Sequence, residues 1–267
     1  MVLKDRFIII RGAGEMATGV ATSLYRANMR NILMLEVPSP LAVRRRVSFC
    51  EAVNQNSMRV EGIEAILIND KSAINNFLGR GQIPVIVDTG GESIASLKPD
   101  ILIDATLAKK NLGITINDAP LVIALGPGFT AGRDCHLVVE TNRGHNLGQI
   151  IFSGEAEADT GIPGDIEGYT LERVVRAPEK GIFISEMQIG NLVSKGDTIG
   201  HIGNSKVTAP ISGMLRCLIR PGSVVTTGLK IGDIDPRGSR SSCETISEKA
   251  RAIGRAVLEG IMSAYNV

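Results

Sequence analysis

Two glycine-punctuated stretches carry the residue types that hold anions. RGAGEMATG runs from Arg11 to Gly19 directly after the apolar FIII, and Gly12, Gly14 and Ala17 fit the pattern G-x-G-x-x-A. Between a strand and a helix, the first glycine permits a tight turn and the second lets backbone approach a pyrophosphate, while the small third residue allows close packing. Glu15 opens the predicted helix, and Glu36 ends the next strand, where a carboxylate would meet a ribose hydroxyl. In ALGPGFTAGRDCHLVVETNRGHNLG, Gly126, Gly128 and Gly132 follow another apolar run. Their N–H groups are suited to an anion nest, to which Arg133 adds charge.

Three further groups could do chemistry. Arg44 and Arg45, followed by Arg46, sit early in a predicted helix through PSPLAVRRRVSFCEAV, where guanidinium groups would clamp a phosphate. A solvated basic face is the alternative. Glu140 and His145 are candidates for an acid and base pair. Cys243 falls in the first turn of the terminal helix, a place that lowers a thiol's pKa; otherwise it is a small packed apolar residue.

The elements that must position these groups follow a regular beat. Aliphatic runs at 7–11, 31–37, 64–69, 84–88, 100–106, 120–125 and 136–141 alternate with helical stretches such as SAINNFLGRG. That alternation predicts α/β architecture: a Rossmann-like parallel sheet domain over residues 1–170, binding a nucleotide or cofactor. After DTGIPGDIEGY the texture changes to short glycine-punctuated strands, predicting a small all-β barrel-sandwich unit at 171–237. Its G-x-x-V-x-x-G-D-x-I, A-P-x-x-G and P-G-x-x-V runs have the shape of a biotinyl or lipoyl carrier. Lys206 stands too close to Ala209-Pro210 for the carrier hairpin, so it is expected to be an ordinary surface residue. Residues 238–267 predict an amphipathic C-terminal helix with Ile246, Ala250, Ile253, Val257 and Ile261 on one stripe, opened by a Ser241 to Glu244 capping box. Such a helix can pack on its own domain or on a second copy of the chain, so a homo-oligomer is an open expectation.

Composition narrows the classes of partner. Twenty-nine basic and 28 acidic side chains give a formal net charge of +1, which supplies no general field for a polyanion or an anionic membrane. Aromatic residues are only 3% of the 267, too few for base-stacking platforms, so nucleic acid is not expected as a partner. The apolar run near the N-terminus is too short for a membrane span or a signal sequence, and a cytoplasmic protein is expected. Cys50, Cys135, Cys217 and Cys243 contain no C-x-x-C, and His136, His145 and His201 lack the spacing of a helical metal pair. Neither disulfides nor a metal site is therefore expected.

Taken together, GAGEMATG, RRRVSFCEAV with VEGI, GPGFTAGRDCHLVVETNRGHNLG, DTGIPG and KIGDIDPRG followed by CETISEKAR resemble the YqeB family. This family comprises accessory proteins of selenium-dependent molybdenum hydroxylases, related more distantly to XdhC-like maturation factors. The resemblance implies maturation or insertion of a molybdenum cofactor, with a molybdopterin or a nucleotide such as NAD(P) or ATP as ligand. It also implies the apo-hydroxylase as partner, with Cys243 handling sulfur or selenium. An NAD(P)-dependent oxidoreductase and a non-catalytic scaffold docking the hydroxylase are the alternatives. Whether the chain is an enzyme stays open at this point.

Overall fold

The computed structural model describes residues 2–266. In chain order its main elements begin with β1 (Ile8–Arg11), α1 (Glu15–Arg26), β2 (Ile32–Glu36), α2 (Ala52–Gln55), β3 (Ser57–Val60), β4 (Ile63–Leu67) and β5 (Gln82–Val87). There follow α3 (Glu92–Leu97), β6 (Ile101–Asp104), β7 (Leu121–Leu125), β8 (Thr130–Ala131), β9 (Leu137–Val139), β10 (Ile150–Ile151) and β11 (Gly154–Glu155). Then come β12 (Val174–Arg176), β13 (Gly181–Ile184), β14 (Leu192–Val193), β15 (Thr198–Ile202), β16 (Ser205–Thr208) and β17 (Gly213–Leu218). The chain closes with β18 (Val224–Val225), β19 (Lys230–Asp235), α4 (Ser241–Glu244) and α5 (Glu248–Tyr265). These divide into two compact units, one of residues 1–40, 48–160 and 246–267, the other of 41–47 and 161–245.

The first unit is built on a nine-stranded sheet of order β10-β9-β7-β6-β1-β2-β5-β4-β3. β4, β5, β2, β1, β6, β7 and β9 run parallel. The aliphatic residues of the central strands are buried, which explains why they read as continuous aliphatic runs. Ile9, Leu33, Leu102, Val122 and Ile86 pack with Ile74, Ile94 and Phe129 in one apolar cluster.

The expected Rossmann-like parallel sheet with an appended barrel-sandwich unit needs correction. The sheet is mixed, because β3 pairs antiparallel with β4 at one edge and β10 antiparallel with β9 at the other. The β3–β4 hairpin turns on Glu61 (φ 48°) and Gly62 (φ 85°), the left-handed pair that a two-residue type I′ loop requires. Expected crossover helices are also missing. Segment 44–55 forms 3₁₀ turns at Arg45–Val47 and Phe49–Glu51 before the short α2, and SAINNFLGRG forms a 3₁₀ turn over Lys71–Asn76. What remains of the expectation is the α/β class.

The strands of the second unit sort into two four-stranded antiparallel sheets, β12-β19-β17-β14 and β16-β15-β13-β18, around a core that includes Phe183, Ile202, Leu215 and Ile231. Lys206 is exposed on β16. The terminal segment is not one helix. α4 ends at Thr245 in an extended conformation, and α5 restarts with the Ser247 hydroxyl accepting from the Ala250 N–H, so the Ser241 capping box does not form.

α5 returns to the start of the chain and packs against α1. The approach is close because the facing residues are small. A Cβ on Gly19 would collide with the Ala250 carbonyl, and one on Gly254 with the Gly19 carbonyl and the Ser23 hydroxyl. The expected stripe of Ile246, Ala250, Ile253, Val257 and Ile261 is buried. Glu61 ties the same region: its carboxylate accepts from Arg26, from Arg251 and from the Ile246 N–H, and these donors outweigh its burial and hold its pKa below the usual range.

In an open helix, alanine is favoured over glycine by about 1 kcal/mol. At Gly254 the sign should reverse, with Gly254→Ala destabilising by about 1–3 kcal/mol in urea unfolding because the helices must move apart. A stabilised variant would refute the close contact.

A candidate charged site at the carboxyl ends of the strands

The chain leaves β1 toward β2 on one side and leaves β6 toward β7 on the other, so the carboxyl ends of these two neighbours flank the point where connections diverge. The strand ends here are polar. Arg11 and Asp104 are register partners, paired at 3.4 Å with side chains 7% and 0% exposed. Arg11 also donates to the carbonyls of Gly90 and Leu112, while Asp104 accepts from the Thr106 N–H and hydroxyl. Beyond β5, Asp88 accepts from the N–H groups of Glu92 and Ser93 at the start of α3. The loop after β6 holds two non-glycine residues in the left-handed region, Leu107 (φ 53°) and Lys109 (φ 61°), a form of strain that clusters at binding sites.

The turn after β1 is held from three sides. Gly12 (φ 92°) donates to the Leu35 carbonyl, and a Cβ there would meet the Ala105 carbonyl at 3.0 Å. The Ala13 N–H donates to Glu36 Oε2 and the Val37 N–H to Oε1, so both oxygens of Glu36 are engaged by backbone. Burial still raises the Glu36 pKa, with those two donors opposing it. The Ala13 carbonyl accepts from the Cys50 N–H, and the Phe49 N–H donates to the Thr18 hydroxyl. Ala17 is fully buried, as a close helix–strand contact requires.

Gly14 is different. It is the N-cap of α1 with φ −67°, a conformation any residue adopts, and no atom lies within 4 Å of where its Cβ would stand. Neither backbone strain nor packing explains a glycine there. No side chain caps the helix.

The second glycine loop packs closely on its neighbours. Gly126 (φ 74°) and Gly128 (φ 103°) would drive a Cβ into the Thr141 hydroxyl and into the Lys109–Lys110 backbone. Gly132 is left-handed but open. Arg133 is exposed and engages Asp134 with two N–H donors, which raise the arginine's pKa and lower the aspartate's. Glu140 is buried, its Oε1 accepting from the Asn142 N–H and its Oε2 from the Glu157 N–H. His145 is exposed on the same loop, and no hydrogen bond joins it to Glu140 among the described residues.

Over these loops sits the first turn of α5. Glu15 Oε1 accepts from the Ser247 N–H, and Arg143 pairs with Glu248. The next residue, Lys249, has its ammonium disfavoured first by burial and then by Arg143, against the weaker pull of Glu15, Asp159 and Glu140. Sequence inspection missed Lys249, Arg11 and Asp104. The last two had a visible signal, a charge ending an aliphatic strand, whereas Lys249 had none.

The remaining candidates belong to the second unit. Arg44 donates to the carbonyls of Ser242 and Thr245 at the end of α4, and Arg45 to the Leu218 carbonyl on β17. Cys243 lies in that unit's apolar core, and burial pushes its thiol up despite opposing help from Ser242, Arg44, Arg46 and Arg216. The direction is opposite to the one expected from a helix terminus, because α4 is only one turn long and its cysteine points into the core. Burial likewise pushes Cys135 and Cys217 up to about 12. Among the described residues, no group of three or more His, Cys, Asp or Glu side chains is arranged to hold a metal, and no helix is long and apolar enough to cross a membrane. A groove of about 470 Å³ lined by Leu3, Ala27, Met29, Leu258 and Met262 lies at the far end of α1 and contains none of the candidate residues.

No family model matches the chain. Among curated proteins, the uncharacterized protein YqeB of Escherichia coli (strain K12) is 49% identical over 257 residues, which cover 96% of this chain and 47% of that protein. Over that span the two are homologous. The chain thus spans about half the length of the curated relative it matches, and the match supports the resemblance to YqeB without supplying an activity. Solved structures found include TcdA (CsdL), with 12% identity, 99% of this chain and 90% of that one covered, and a TM-score of 0.32. A succinylglutamate desuccinylase/aspartoacylase from Rhodobacter sphaeroides has 14% identity, covers 86% and 84%, and scores 0.26. The ectoine utilization protein EutE (DoeB) from Ruegeria pomeroyi has 10% identity, covers 80% and 61%, and scores 0.25. At such scores these likenesses carry no argument. The expectation of molybdenum cofactor maturation is withdrawn with its oxidoreductase and scaffold alternatives, since the relative that carries the resemblance is itself described as uncharacterized and supplies no such role. The nucleotide-binding reading built on a Rossmann sheet goes with it, because the sheet is mixed and the acid expected to meet a ribose is engaged by backbone amides.

Two outcomes test the electrostatics described here. Glu140→Gln leaves one backbone N–H facing an amide NH₂, and should destabilise the chain by about 1–3 kcal/mol in urea unfolding, whatever its effect on any activity. For Lys249, whose folded pKa is depressed, the unfolded chain binds the proton more tightly, so its penalty on stability is full below the folded pKa and fades as pH rises to the unfolded value. Lys249→Met should therefore raise the Tm at neutral pH, with the gain shrinking as pH rises toward the ordinary lysine pKa of about 10.4. A gain that grows with pH would show the environment to be misassigned.

Proposed function

We propose that the first unit binds a small anionic molecule over the turn Gly12–Glu15, with Lys249 and Arg143 as the neighbouring cations. The observation that carries this reading is Gly14: a glycine at a helix N-cap whose conformation and neighbours would both accept a side chain. Space left open at that position is what a ligand approaching the backbone requires. The start of a 12-residue helix, to which the N-cap gives no side-chain cap, adds the positive end of its dipole. Support also comes from the site's position, at the carboxyl ends of β1 and β6 where the connections diverge, and from the strained Leu107–Lys109 loop beside it.

The charge balance of the surrounding groups favours a small anion over a polyanion. Arg11 is committed to Asp104, Lys109 to Asp159 and Arg133 to Asp134, and Arg143 is shared with the exposed Glu248, leaving few cations to meet a ligand. A carboxylate or a single phosphoryl group suits that number.

Calorimetric titration with inorganic phosphate, pyruvate and 2-oxoglutarate tests the idea against Gly14→Ala and Gly14→Val. The Gly14→Ala variant should change stability by only about 1 kcal/mol, since its Cβ meets nothing. Binding of the anion should weaken in Gly14→Ala and be lost in Gly14→Val. Unchanged affinity in both variants, or no binding of any of these anions by the parent chain, would remove the reading.

A further inference from the structure

We propose that the apolar groove at the end of α1 away from Gly14 is a docking site for polypeptide, and that its occupant is the part of YqeB that has no counterpart in this chain. That occupant presents apolar side chains to the groove with an acidic group beside them. This face shares no residue with the anion site and stands apart from it.

The groove, of about 470 Å³, is built from three pieces of the first unit. On α5, Leu258 and Met262 stand one turn apart, displaced by about 100° around the helix from the buried pair Val257 and Ile261. Met262 is left 43% exposed, so α5 carries apolar surface beyond the stripe that it buries. The second piece is the 3₁₀ turn Leu3–Asp5, preceded by Val2, which is 62% exposed. The third is the end of α1. There the Asn28 N–H donates to the Tyr25 carbonyl and the Met29 N–H to the Leu24 carbonyl, with Asn28 left-handed (φ 64°), a Schellman closure that fixes Ala27, Asn28 and Met29.

These pieces are tied to one another. The Asn31 side-chain amide donates to the Asp5 carbonyl, joining the segment after α1 to the first turn. The Arg6 guanidinium lies over the Tyr265 ring at 3.8 Å and pairs with Asp100, whose carbonyl accepts from the Tyr265 hydroxyl, so the start of the chain is joined to the end of α5. Walls held in this way lose little freedom when something binds. Apolar side chains scattered singly over a surface need no explanation, but Val2, Leu3, Leu258 and Met262 converge on one concavity. Lys4 is the one charged residue of the lining, and it calls for an acidic group in the occupant.

The length of the relative identifies that occupant. The match to YqeB covers 96% of this chain and 47% of that protein, so about half of YqeB lies outside the shared span. Val2 lines the groove near one end of the span, and Met262 lines it near the other. Whichever end the further residues of YqeB join, they leave the span beside this groove. A short tether gives them an effective concentration near millimolar, at which even a modest apolar contact is filled. An amphipathic helix with anchors at i, i+3 or i+4 and i+7 has the form that such grooves take.

Photo-crosslinking in full-length YqeB tests the assignment. Ala27 lines the groove, is exposed and has φ −80°, a conformation open to larger residues. With p-benzoylphenylalanine at the aligned position of YqeB, irradiation at high dilution and peptide mapping by mass spectrometry should give crosslinks to the part of YqeB outside the shared span, at the mass of a single chain. Crosslinks confined to the shared span, or joining the shared spans of two copies, would overturn the proposal. Substitution supplies a second readout. Ala27→Lys in this chain should shift the Tm by less than about 2 °C, whereas lysine at the aligned position of YqeB should lower it by about 2–4 °C or more, because a charge is forced into a filled apolar groove. Equal shifts in the two proteins, or no shift in YqeB, would show that the groove is not covered there.

Discussion

The glycine-mediated contact between α1 and α5 is the constraint on which the first unit depends. Two helices approach this closely only where both lack side chains, and Gly19, Ala250 and Gly254 supply that surface in two segments far apart in the chain. Because α1 begins at the turn after β1, whatever packs along α1 is carried to the carboxyl ends of the strands. The contact therefore sets the height at which Ser247, Glu248 and Lys249 meet Glu15 and the 140–146 loop. Loosening it would cost more than packing energy, since the hydrogen bond from the Ser247 N–H to Glu15 would lose register.

Around that turn, polar groups are satisfied in an orderly way. Glu36 holds two backbone amides, Asp88 caps α3, Asp104 neutralises Arg11, and Glu140 joins the loop after β9 to the segment after β11. Buried ionised groups are tolerated only when so engaged, and removing one partner of a buried pair typically costs about 3–5 kcal/mol. Glu140, the candidate acid in the sequence, has both carboxylate oxygens held by backbone N–H groups. Against this background the open space over Gly14 stands out, because the fold makes no use of it.

The second unit applies the same logic to its arginines. Arg44 and Arg45 donate to carbonyls at the end of α4 and on β17, and Cys243 lies in the apolar core of the same unit. Arg173 and Lys230 meet Asp233, while Arg237 and Arg216 meet Asp235, so the acidic run GDID is neutralised within its own unit. In sequence Arg44 and Arg45 read as a phosphate clamp and Cys243 as a thiol at a helix start; in space the two arginines donate to backbone carbonyls and the thiol is buried.

Local patterns determined a definite part of this protein. The runs FIII, ILML, ILID and LVIAL became buried central strands, Gly12 and Ala17 took the backbone and packing roles their types suggest, and the stripe from Ile246 to Ile261 faced inward. These features depend on residues within a turn or a strand of one another, where periodicity and steric preference act directly. Tertiary structure alone decided the rest. The direction of β3 and β10, the engagement of Glu36 and Glu140 by backbone, the burial of Cys243 and the placement of Lys249 all depend on groups brought together from distant parts of the chain. A carboxylate or an amine has the same appearance in any sequence; its charge state and availability are set by the dielectric and the donors around it, and those exist only once the chain has folded.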